Sequence, residues 1–253
     1  MGLANEKSPG ALAQIVLFLH RKGRRVWTLR MEGKRDLTPR LTRVDFSGTD
    51  LDELVWRRGQ DFVLELPQAD GSVARRHYTI RDHSPAEKML AIDFVRHGES
   101  PSACWLDRAR PGDQIAAIGP RGRTVLSERA DWHLFLGDET SVPAVLAMLS
   151  GLAAGAKAMG LLEVGHADDR LAFAAPPGAC LEWILRGASR NDALVEKVRG
   201  LELPSGSGQA YITGETSLVR MLRHILLARG LAKETIAAEG YWRPGRIGGH
   251  DHV

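Results

Sequence analysis

Cysteine is scarce in this 253-residue chain, which contains only Cys104 and Cys180. Two cysteines cannot build a disulfide framework, and they are too few to hold an iron–sulfur cluster through four thiolates. Long hydrophobic runs are also missing, because the apolar run at residues 15–19 is much shorter than the roughly 20 residues that span a bilayer. No convincing signal-peptide cleavage site follows this run. We therefore expect no membrane span and a cytoplasmic location.

Charge of one sign is limited as well. The net charge is +3 and the pI is near 9.0, and no RNA-recognition, zinc-finger or helix-turn-helix signature is present. We predict no nucleic acid partner, and the dense basic cluster at residues 21–25 is typical of a solvated surface. Hydrophobic residues make up 43% of the chain and charged residues 26%, which fits one large or two ordinary globular domains. We expect a monomer.

Several catalytic and ligand-binding motifs are absent. There is no G-x-G-x-x-G sequence, so the standard dinucleotide grip is not predicted, and no catalytic triad or paired-carboxylate site stands out. His250 and His252 form an H-x-H pair near the C-terminus without further ligands, so no metal site is predicted.

The first half of the chain alternates apolar and polar residues with a period of two, which indicates antiparallel strands. Short polar turns separate six such segments over about a hundred residues, so we predict a closed six-stranded β-barrel. The predicted strands cover residues 26–31, 42–46, 61–66, 74–80, 89–95 and 114–118.

The second half alternates strands and helices, which predicts a doubly wound parallel sheet covered on both faces. Strands are predicted at residues 132–137, 160–165 and 209–213, and helices at residues 142–153, 181–184 and 217–229. The expected domains are an arm at 1–20, a barrel at 21–127, an α/β domain at 128–238 and a C-terminal tail at 239–253.

The stretch R-H-Y-T-I-R at residues 76–81 offers chemistry for a flat anionic cofactor. Tyr78 can pack along a ring system, Arg76 can pair bidentately with a phosphate, and Thr79 can hydrogen-bond a ring edge. An ordinary surface strand with the same letters is the alternative, since aromatic and β-branched residues favour strands.

Three further segments offer binding groups. A short helix entered through residues 99–101 would present free N–H groups to an anion. The turns G-D-E-T-S at 137–141 and G-E-T-S at 214–217 lie at the carboxyl ends of predicted strands, where doubly wound sheets bind ligands, although helix capping also explains their letters. The aromatic and basic segment at 240–246 can stack on a ring or simply close the domain.

These features form an ordered series. The series is L-T-P-R-L at 37–41, R-H-Y-T-I-R at 76–81, D-F-V-R-H-G at 93–98, R-P-G-D at 110–113, G-P-R-G at 119–122, G-D-E-T at 137–140 with Pro143, and G-Y-W-R at 240–243. In this order the motifs closely resemble the siderophore-interacting FAD-binding proteins, cytoplasmic ferric-siderophore reductases related to the ferredoxin reductases. The likeness runs over residues 24–246. One departure is S-P-S-A-C-W at 100–105, where the family usually has G-P-A-S-x-W, so the serine is displaced by one position.

The resemblance implies an FAD-binding barrel, a nicotinamide-binding α/β domain and reduction of Fe(III) in a siderophore. Expected cofactor contacts are Arg76, Tyr78, Thr79, Ile80, His97, Gly98, Pro101, Ser102, Ala103, Gly137, Asp138, Glu139, Thr140, Gly214, Glu215 and Trp242. A basic wall of Arg121, Arg123, Arg243 and Arg246 is expected to face the ferric siderophore.

The electron donor stays open among NADH, NADPH and a ferredoxin. Carboxylates at Asp168 and Asp169 after a predicted strand would disfavour a 2′-phosphate, but Arg170 beside them weakens that indication. Two other functions are compatible with the residues: a general flavin electron carrier that never meets a siderophore, and a siderophore-binding or nucleotide-binding protein without turnover.

Overall fold

The computed structural model describes residues 25–187 and 190–245, together with the backbone of residues 251–252. The expected N-terminal arm, Arg246 and His250 therefore lie outside the described residues. Among the residues described, no helix is both long and apolar enough to cross a membrane.

The first unit is a closed antiparallel barrel, as predicted. Its strands are β1 (Val26–Thr38), β2 (Leu41–Ser47), β3 (Asp61–Pro67), β4 (Val73–Ser84), β5 (Met89–Val95) and β6 (Gln114–Arg121). They pair in the order β1-β2-β5-β4-β3-β6, and β6 closes the barrel on β1. Closure leaves no free sheet edge in this unit, so every strand finds two hydrogen-bonding neighbours.

Aromatic packing fills the barrel and holds helix α1 (Pro101–Arg108) against it. Trp105 of α1 stacks on Phe46 with ring centroids 6.4 Å apart and lies 5.6 Å from Phe94. All three rings are buried, and burial of each large apolar side chain contributes about 1.5 to 3 kcal/mol. The helix is thereby held against the barrel, where it contacts β3 and β4.

The second unit is a sheet of five parallel strands with an antiparallel edge strand. Its elements are β7 (Trp132–Gly137), α2 (Val142–Leu149), β8 (Lys157–Val164), β9 (Ala179–Leu185), α3 (Asp192–Arg199), β10 (Gly208–Glu215), α4 (Thr216–Ala228), β11 (Ile236–Trp242) and β12 (Asp251–His252). The strand order is β12-β11-β10-β7-β8-β9. The order reverses between β7 and β10, which is the switch point where such sheets bind ligands.

The prediction of a helix at residues 181–184 is wrong, because this segment lies within strand β9. The strand pairs in parallel with β8, for example Gly160 with Leu181. Exposure alternates along most of β9, with Leu181 and Trp183 turned inward and Glu182 outward. A four-residue segment such as Leu-Glu-Trp-Ile is too short to distinguish a helix from an edge strand, and its pairing with β8 made it a strand.

Two other differences concern helices. Helix α2 ends at Leu149 rather than at 153, and Ser150 caps it by donating from Oγ to the Leu146 carbonyl oxygen at 2.9 Å. Helix α3 was missed, although Leu194, Val195 and Val198 are buried at helical spacing. Strand β11 was also missed, and it runs through the position where the C-terminal tail was expected to begin.

Several contacts join the barrel and its linker to the sheet. Arg40 in the turn between β1 and β2 donates to both carboxylate oxygens of Asp169, at 3.0 and 2.9 Å. Thr124 donates to Glu239 of β11 at 3.2 Å. These bonds hold the carboxyl ends of the parallel strands opposite the barrel wall formed by β4 and the start of α1.

Candidate functional site

A cavity of about 570 Å³ lies where the barrel faces the C-terminal strand. This volume is in the usual range for cofactor and small-molecule sites. The predicted site residues that line it are Arg76, Tyr78, Thr79, His97, Pro101, Ser102, Glu139, Thr140, Trp242 and Arg243. The cavity therefore brings together the R-H-Y-T strand, the start of α1, the G-D-E-T turn and the end of β11.

Tyr78 forms the aromatic part of the barrel-side wall. Its ring lies 4.2 Å from the ring of Phe94, measured between centroids, and packs against the barrel core. Burial raises the pKa of Tyr78 to about 12, although a hydrogen bond with Ser102 and the charge of Arg76 act in the opposite direction. The phenol is therefore neutral at physiological pH and offers a flat apolar face with a hydroxyl at one end.

The start of α1 forms the anion-binding part of the wall. Ser100 caps the helix by accepting from the Ala103 N–H at 3.2 Å, and Pro101 occupies the first helical position. First-turn N–H groups have no partner within a helix, and Pro101 and Ser102 of this first turn line the cavity. The positive end of the helix dipole and these N–H groups favour a phosphate.

A polar cluster that the sequence reasoning missed also lines this cavity. His77 Nδ1 is 2.5 Å from Asp61 Oδ2, and both residues line the cavity. Tyr241 reaches this cluster from β11: burial and the carboxylates of Glu239 and Asp61 raise the pKa of Tyr241, while hydrogen bonds with Thr213 and Thr79 lower it. The only indication of this cluster in the sequence was that His77 lies inside the R-x-Y-T run.

Asp138 lies beneath the cavity, not on its surface. Its side chain is fully buried and accepts four hydrogen bonds. The donors are Thr140 N at 2.9 Å and Thr140 Oγ1 at 2.5 Å to Oδ1, and Glu215 N at 2.8 Å and Trp242 Nε1 at 2.9 Å to Oδ2. Burial and the neighbouring Glu139 carboxylate raise the pKa of Asp138, and the bonds from Thr140 and Trp242 oppose this.

Gly214 explains how the two strand-to-helix turns approach each other. A Cβ atom at Gly214 would lie 2.8 Å from the Asp138 carboxyl carbon, and its φ of +125° is disfavoured for other residues. Gly137 and Glu215 are likewise buried. Four of the predicted cofactor contacts therefore lie beneath the main cavity and do not line it, namely Gly137, Asp138, Gly214 and Glu215. Glu139 and Thr140 do line it.

Glu215 caps helix α4. It accepts from the N–H groups of Ser217 at 2.9 Å and Leu218 at 3.0 Å. Burial by itself would raise the pKa of Glu215, but the hydrogen bonds from Ser217 and Leu218 outweigh it and lower the pKa from the model-compound value of 4.5. The carboxylate therefore stabilises the folded state in its ionised form.

The cap gives a pH-dependent prediction. Glu215→Gln is expected to lower the free energy of unfolding by about 1 kcal/mol at neutral pH. Because the folded-state pKa is depressed, the difference between parent and variant persists above about pH 4.5 and shrinks as the pH falls through the folded pKa. Urea unfolding at pH 7 and pH 3.5 measures this, with exposed Glu202→Gln as the matched control. An equal difference at both pH values contradicts the assignment.

Glu139 is the centre of an ion-pair network at the carboxyl ends of β7, β8 and β9. Arg186 is 2.5 Å from Glu139 and 2.8 Å from buried Glu163, and Arg190 is 3.8 Å from Glu139. The Arg190 guanidinium also lies 5.2 Å from the centre of the Trp242 ring. A second cavity of about 550 Å³ lies on the other side of Glu139, and the predicted contacts Gly98 and Ala103 line that one.

The remaining predicted residues lie elsewhere. Ile80 is fully buried in the barrel core and does not line the main cavity. Arg121 is exposed at the end of β6, and Arg123 lines a separate crevice beside the linker. Arg243 lines the main cavity with the other C-terminal residues.

The lining of the main cavity fits FAD. A flat aromatic wall at Tyr78, the Arg76 guanidinium and the first turn of α1 provide partners for a ring system and for phosphates. Among the described residues, no group of three His, Cys, Asp or Glu side chains is placed to hold a metal ion.

Comparison with known proteins identifies relatives of both units. Residues 57–124 match the siderophore-interacting FAD-binding domain, and residues 130–245 match the siderophore-interacting protein family. Ferric vibriobactin reductase of Vibrio cholerae is 33% identical over 197 residues, which is 73% of each chain. The NADPH-dependent ferric-chelate reductase of Escherichia coli is 29% identical over 169 residues, 64% of this chain and 65% of the relative.

A solved structure extends the likeness over nearly the whole fold. The siderophore utilization protein from T. fusca superposes with a TM-score of 0.79 at 30% identity, covering 88% of this chain and 94% of the other. Barrel and sheet match in the same chain order. This chain belongs to the siderophore-interacting protein family, with a ferredoxin-reductase-like fold.

Proposed function

We propose that this protein is an FAD-dependent reductase of ferric siderophores that takes its electrons from a nicotinamide nucleotide. The observation that carries the proposal is the main cavity, where an aromatic wall, a guanidinium and a helix start on the barrel face the switch point of the parallel sheet. Relatives named as ferric vibriobactin reductase and NADPH-dependent ferric-chelate reductase support the same reaction.

The chemistry explains why this reaction requires no general acid, general base or nucleophile from the protein. Oxygen ligands hold hard Fe(III) much more tightly than Fe(II), so one electron weakens the chelate and releases the metal. Bound FAD supplies the conversion of a two-electron hydride donor into two single-electron transfers. The protein then has to bind, orient and shield the reacting groups.

We assign these tasks to named side chains. Tyr78 and Thr79 hold the ring system, with the Tyr78 hydroxyl fixed by Ser102. Arg76 and the first turn of α1 hold the phosphates. Glu139, Thr140 and Trp242 form the face on which the nicotinamide binds, and Asp138 positions that face.

NADPH is the donor that we propose, because the E. coli relative is named for it. Arg186 and Arg190 at the ends of the strands supply positive charge for phosphate groups, although Glu139 and Glu163 compensate part of it. We further propose a monomer in the cytoplasm. A ferredoxin donor is the alternative that the experiment below separates.

The experiment is an anaerobic spectrum of the purified protein after loading with FAD and removal of the excess. We expect retained flavin bands that NADPH bleaches and that a ferric siderophore restores. Retained flavin that neither NADPH nor NADH bleaches, but that reduced ferredoxin does, overturns the proposed donor. Failure to retain flavin overturns the proposed function and favours a binding protein without turnover.

A further inference from the structure

The proposed reaction changes the charge of the main cavity in every cycle. A hydride from NADPH brings two electrons and one proton, so the cavity gains one net negative charge. The charge returns to its starting value when two Fe(III) have each taken one electron and the proton has left to solvent. Added charge is costly in a site that is partly shielded from water, unless a nearby group compensates it. A side chain that takes up a proton from solvent on reduction would provide this compensation.

His77 and Asp61 form a hydrogen-bonded pair in the wall of this cavity. His77 Nδ1 lies 2.5 Å from Asp61 Oδ2, and the two residues belong to the neighbouring strands β4 and β3. A carboxylate can only accept a hydrogen bond, so Nδ1 carries the hydrogen and Nε2 is the ring nitrogen that can gain a proton. Asp61 thus fixes the tautomer of His77, and its charge stabilises an imidazolium at this position.

The pair adjoins the residues that we assign to the ring system of the cofactor. His77 and Thr79 are two positions apart on β4, so their side chains leave the same face of the strand about 7 Å apart. Tyr241 hydrogen-bonds Thr79, and burial together with the Glu239 and Asp61 carboxylates raises the pKa of Tyr241. Tyr241 therefore lies close to both Thr79 and Asp61, and it connects the pair to the ring-binding part of the wall.

Charges of both signs meet around His77. The charged and titratable side chains that share its part of the cavity wall are Asp61 from β3, Arg75 and Arg76 from β4, and Glu239, Tyr241 and Arg243 from β11 and the residues after it. Carboxylates favour a protonated His77, whereas guanidiniums oppose it. Because these influences act against each other, one added negative charge in the cavity shifts the balance toward protonation.

Two other carboxylates of the cavity wall are neutralised by arginines. Asp93 is buried and accepts from Arg43 at 2.6 and 2.8 Å. Glu139 forms ion pairs with Arg186 and Arg190. Protonation of either carboxylate would break an existing ion pair, so neither is suited to take up a proton on reduction.

The tyrosines and the loop before α1 are also unsuited. Burial raises the pKa of Tyr78 to about 12 and also raises that of Tyr241, so both phenols already hold their protons. His97 and Glu99 are exposed in the loop before α1, where solvent screens them from charge in the cavity. Within the described part of the cavity wall, His77 combines partial burial with a carboxylate partner.

We propose that His77, oriented by Asp61, takes up a proton from solvent at Nε2 when the cofactor is reduced and releases it on reoxidation. The inference rests on the proposed function and deepens it by naming the group that offsets the added negative charge. The His77 side chain is 21% exposed, so it can exchange protons with solvent without a conformational change. Coupling is reciprocal, so a proton on His77 favours the reduced state of the cofactor.

The test follows the His77 proton by NMR. Protein labelled with ¹⁵N-histidine and loaded with FAD is recorded at pH 7 before and after anaerobic reduction with dithionite, and His77→Asn identifies the His77 signals. We expect the ratio of protonated to neutral His77 to rise about tenfold on reduction. His83 is the internal control, because it lies on the same strand outside the main cavity, with Nε2 2.8 Å from the Leu51 carbonyl oxygen. Its signals should not change.

A proton count gives an independent measurement. Hydride transfer from NADPH consumes no proton from solvent, so a pH indicator in weakly buffered solution reports proton uptake by the protein during anaerobic reduction. We expect uptake by the parent and by His83→Asn, and its loss in His77→Asn. Asp61→Asn keeps an acceptor for the Nδ1 hydrogen but removes the negative charge, so it should take up less than the parent.

The outcomes separate this inference from the proposed function. An unchanged His77 signal, or equal proton uptake by His77→Asn and the parent, overturns the inference and leaves reduction of ferric chelates intact. Proton uptake at His77 in a protein whose reduced cofactor is not reoxidised by ferric chelates supports the inference and overturns the proposed function. A protein that retains no FAD overturns both.

Discussion

Asp138→Ala is expected to lower the free energy of unfolding by about 3 kcal/mol, because it leaves four donors without their acceptor in a buried site. For a chain of this size the melting temperature should fall by roughly 6 to 12 °C. Differential scanning calorimetry of parent and variant measures both quantities.

The control for this prediction is Asp168→Ala, because Asp168 is exposed in a neighbouring loop of the same sheet edge. We expect this control to change stability by less than about 0.5 kcal/mol. Asp138→Asn keeps the shape and one acceptor but places an amide NH₂ against two donors, so it should fall between the alanine variant and the parent. If Asp138→Ala is as stable as the parent, the hydrogen bonds to Asp138 do not hold the wall of the main cavity in place.

The Asp138 carboxylate should also hold in place the residues on which the nicotinamide is proposed to bind. Trp242 donates its indole N–H to Asp138 and lines the main cavity. In Asp138→Ala the indole loses this anchor, so its fluorescence should shift and NADPH should bleach the flavin more slowly at equal flavin content. If Asp138 only stabilises the fold, Asp138→Ala should have a lower melting temperature, but the fluorescence of Trp242 in the folded variant should be unchanged.

Arg76→Ala is expected to weaken FAD binding about tenfold to a hundredfold, because a charge-assisted contact with a phosphate contributes about 1.5 to 3 kcal/mol. Arg76 lines the main cavity on the Tyr78 side, and its guanidinium donates to the Arg75 carbonyl oxygen at 2.8 Å, a bond that a phosphate can replace. Titration of the apo-protein with FAD, followed by flavin fluorescence, gives the dissociation constant.

Arg35→Ala is the matched control for Arg76→Ala. Arg35 is a strand arginine on β1 that pairs with Asp45 and does not line the main cavity. Its removal changes the net charge equally, so it should alter FAD affinity less than about twofold. If Arg76→Ala retains FAD as tightly as the parent, the assignment of the R-H-Y-T strand to the cofactor is wrong.

The sequence predicted the elements of the site better than their arrangement. Tyr78 and Ser102 were each expected to bind the cofactor, but their mutual hydrogen bond arises only because α1 packs on the barrel through Trp105. Asp138 was predicted to face a nicotinamide, whereas the fold buries it. Its partner Trp242 is 104 positions away along the chain, so no local pattern could reveal the contact.

Strand β9 and helix α3 were both missed from the sequence, but for different reasons. The sequence of α3 places the apolar residues Leu194, Val195 and Val198 at helical spacing, so this helix could have been predicted. The run at residues 181–184 carries no decisive period, and only the open edge of β8 made it a strand. Local patterns report the exposure of a segment, but pairing depends on which edge lacks a partner.

The sequence by itself determined the two-part fold, the order of its motifs and the family to which the chain belongs. Alternation of apolar residues and the turn residues between them are local properties, so they can be read directly from the sequence. Only the tertiary structure decided which polar residues face a ligand. The barrel and the sheet carry Asp61 and Tyr241 to one shared surface from distant positions, and burial and charge at that surface are set by long-range packing.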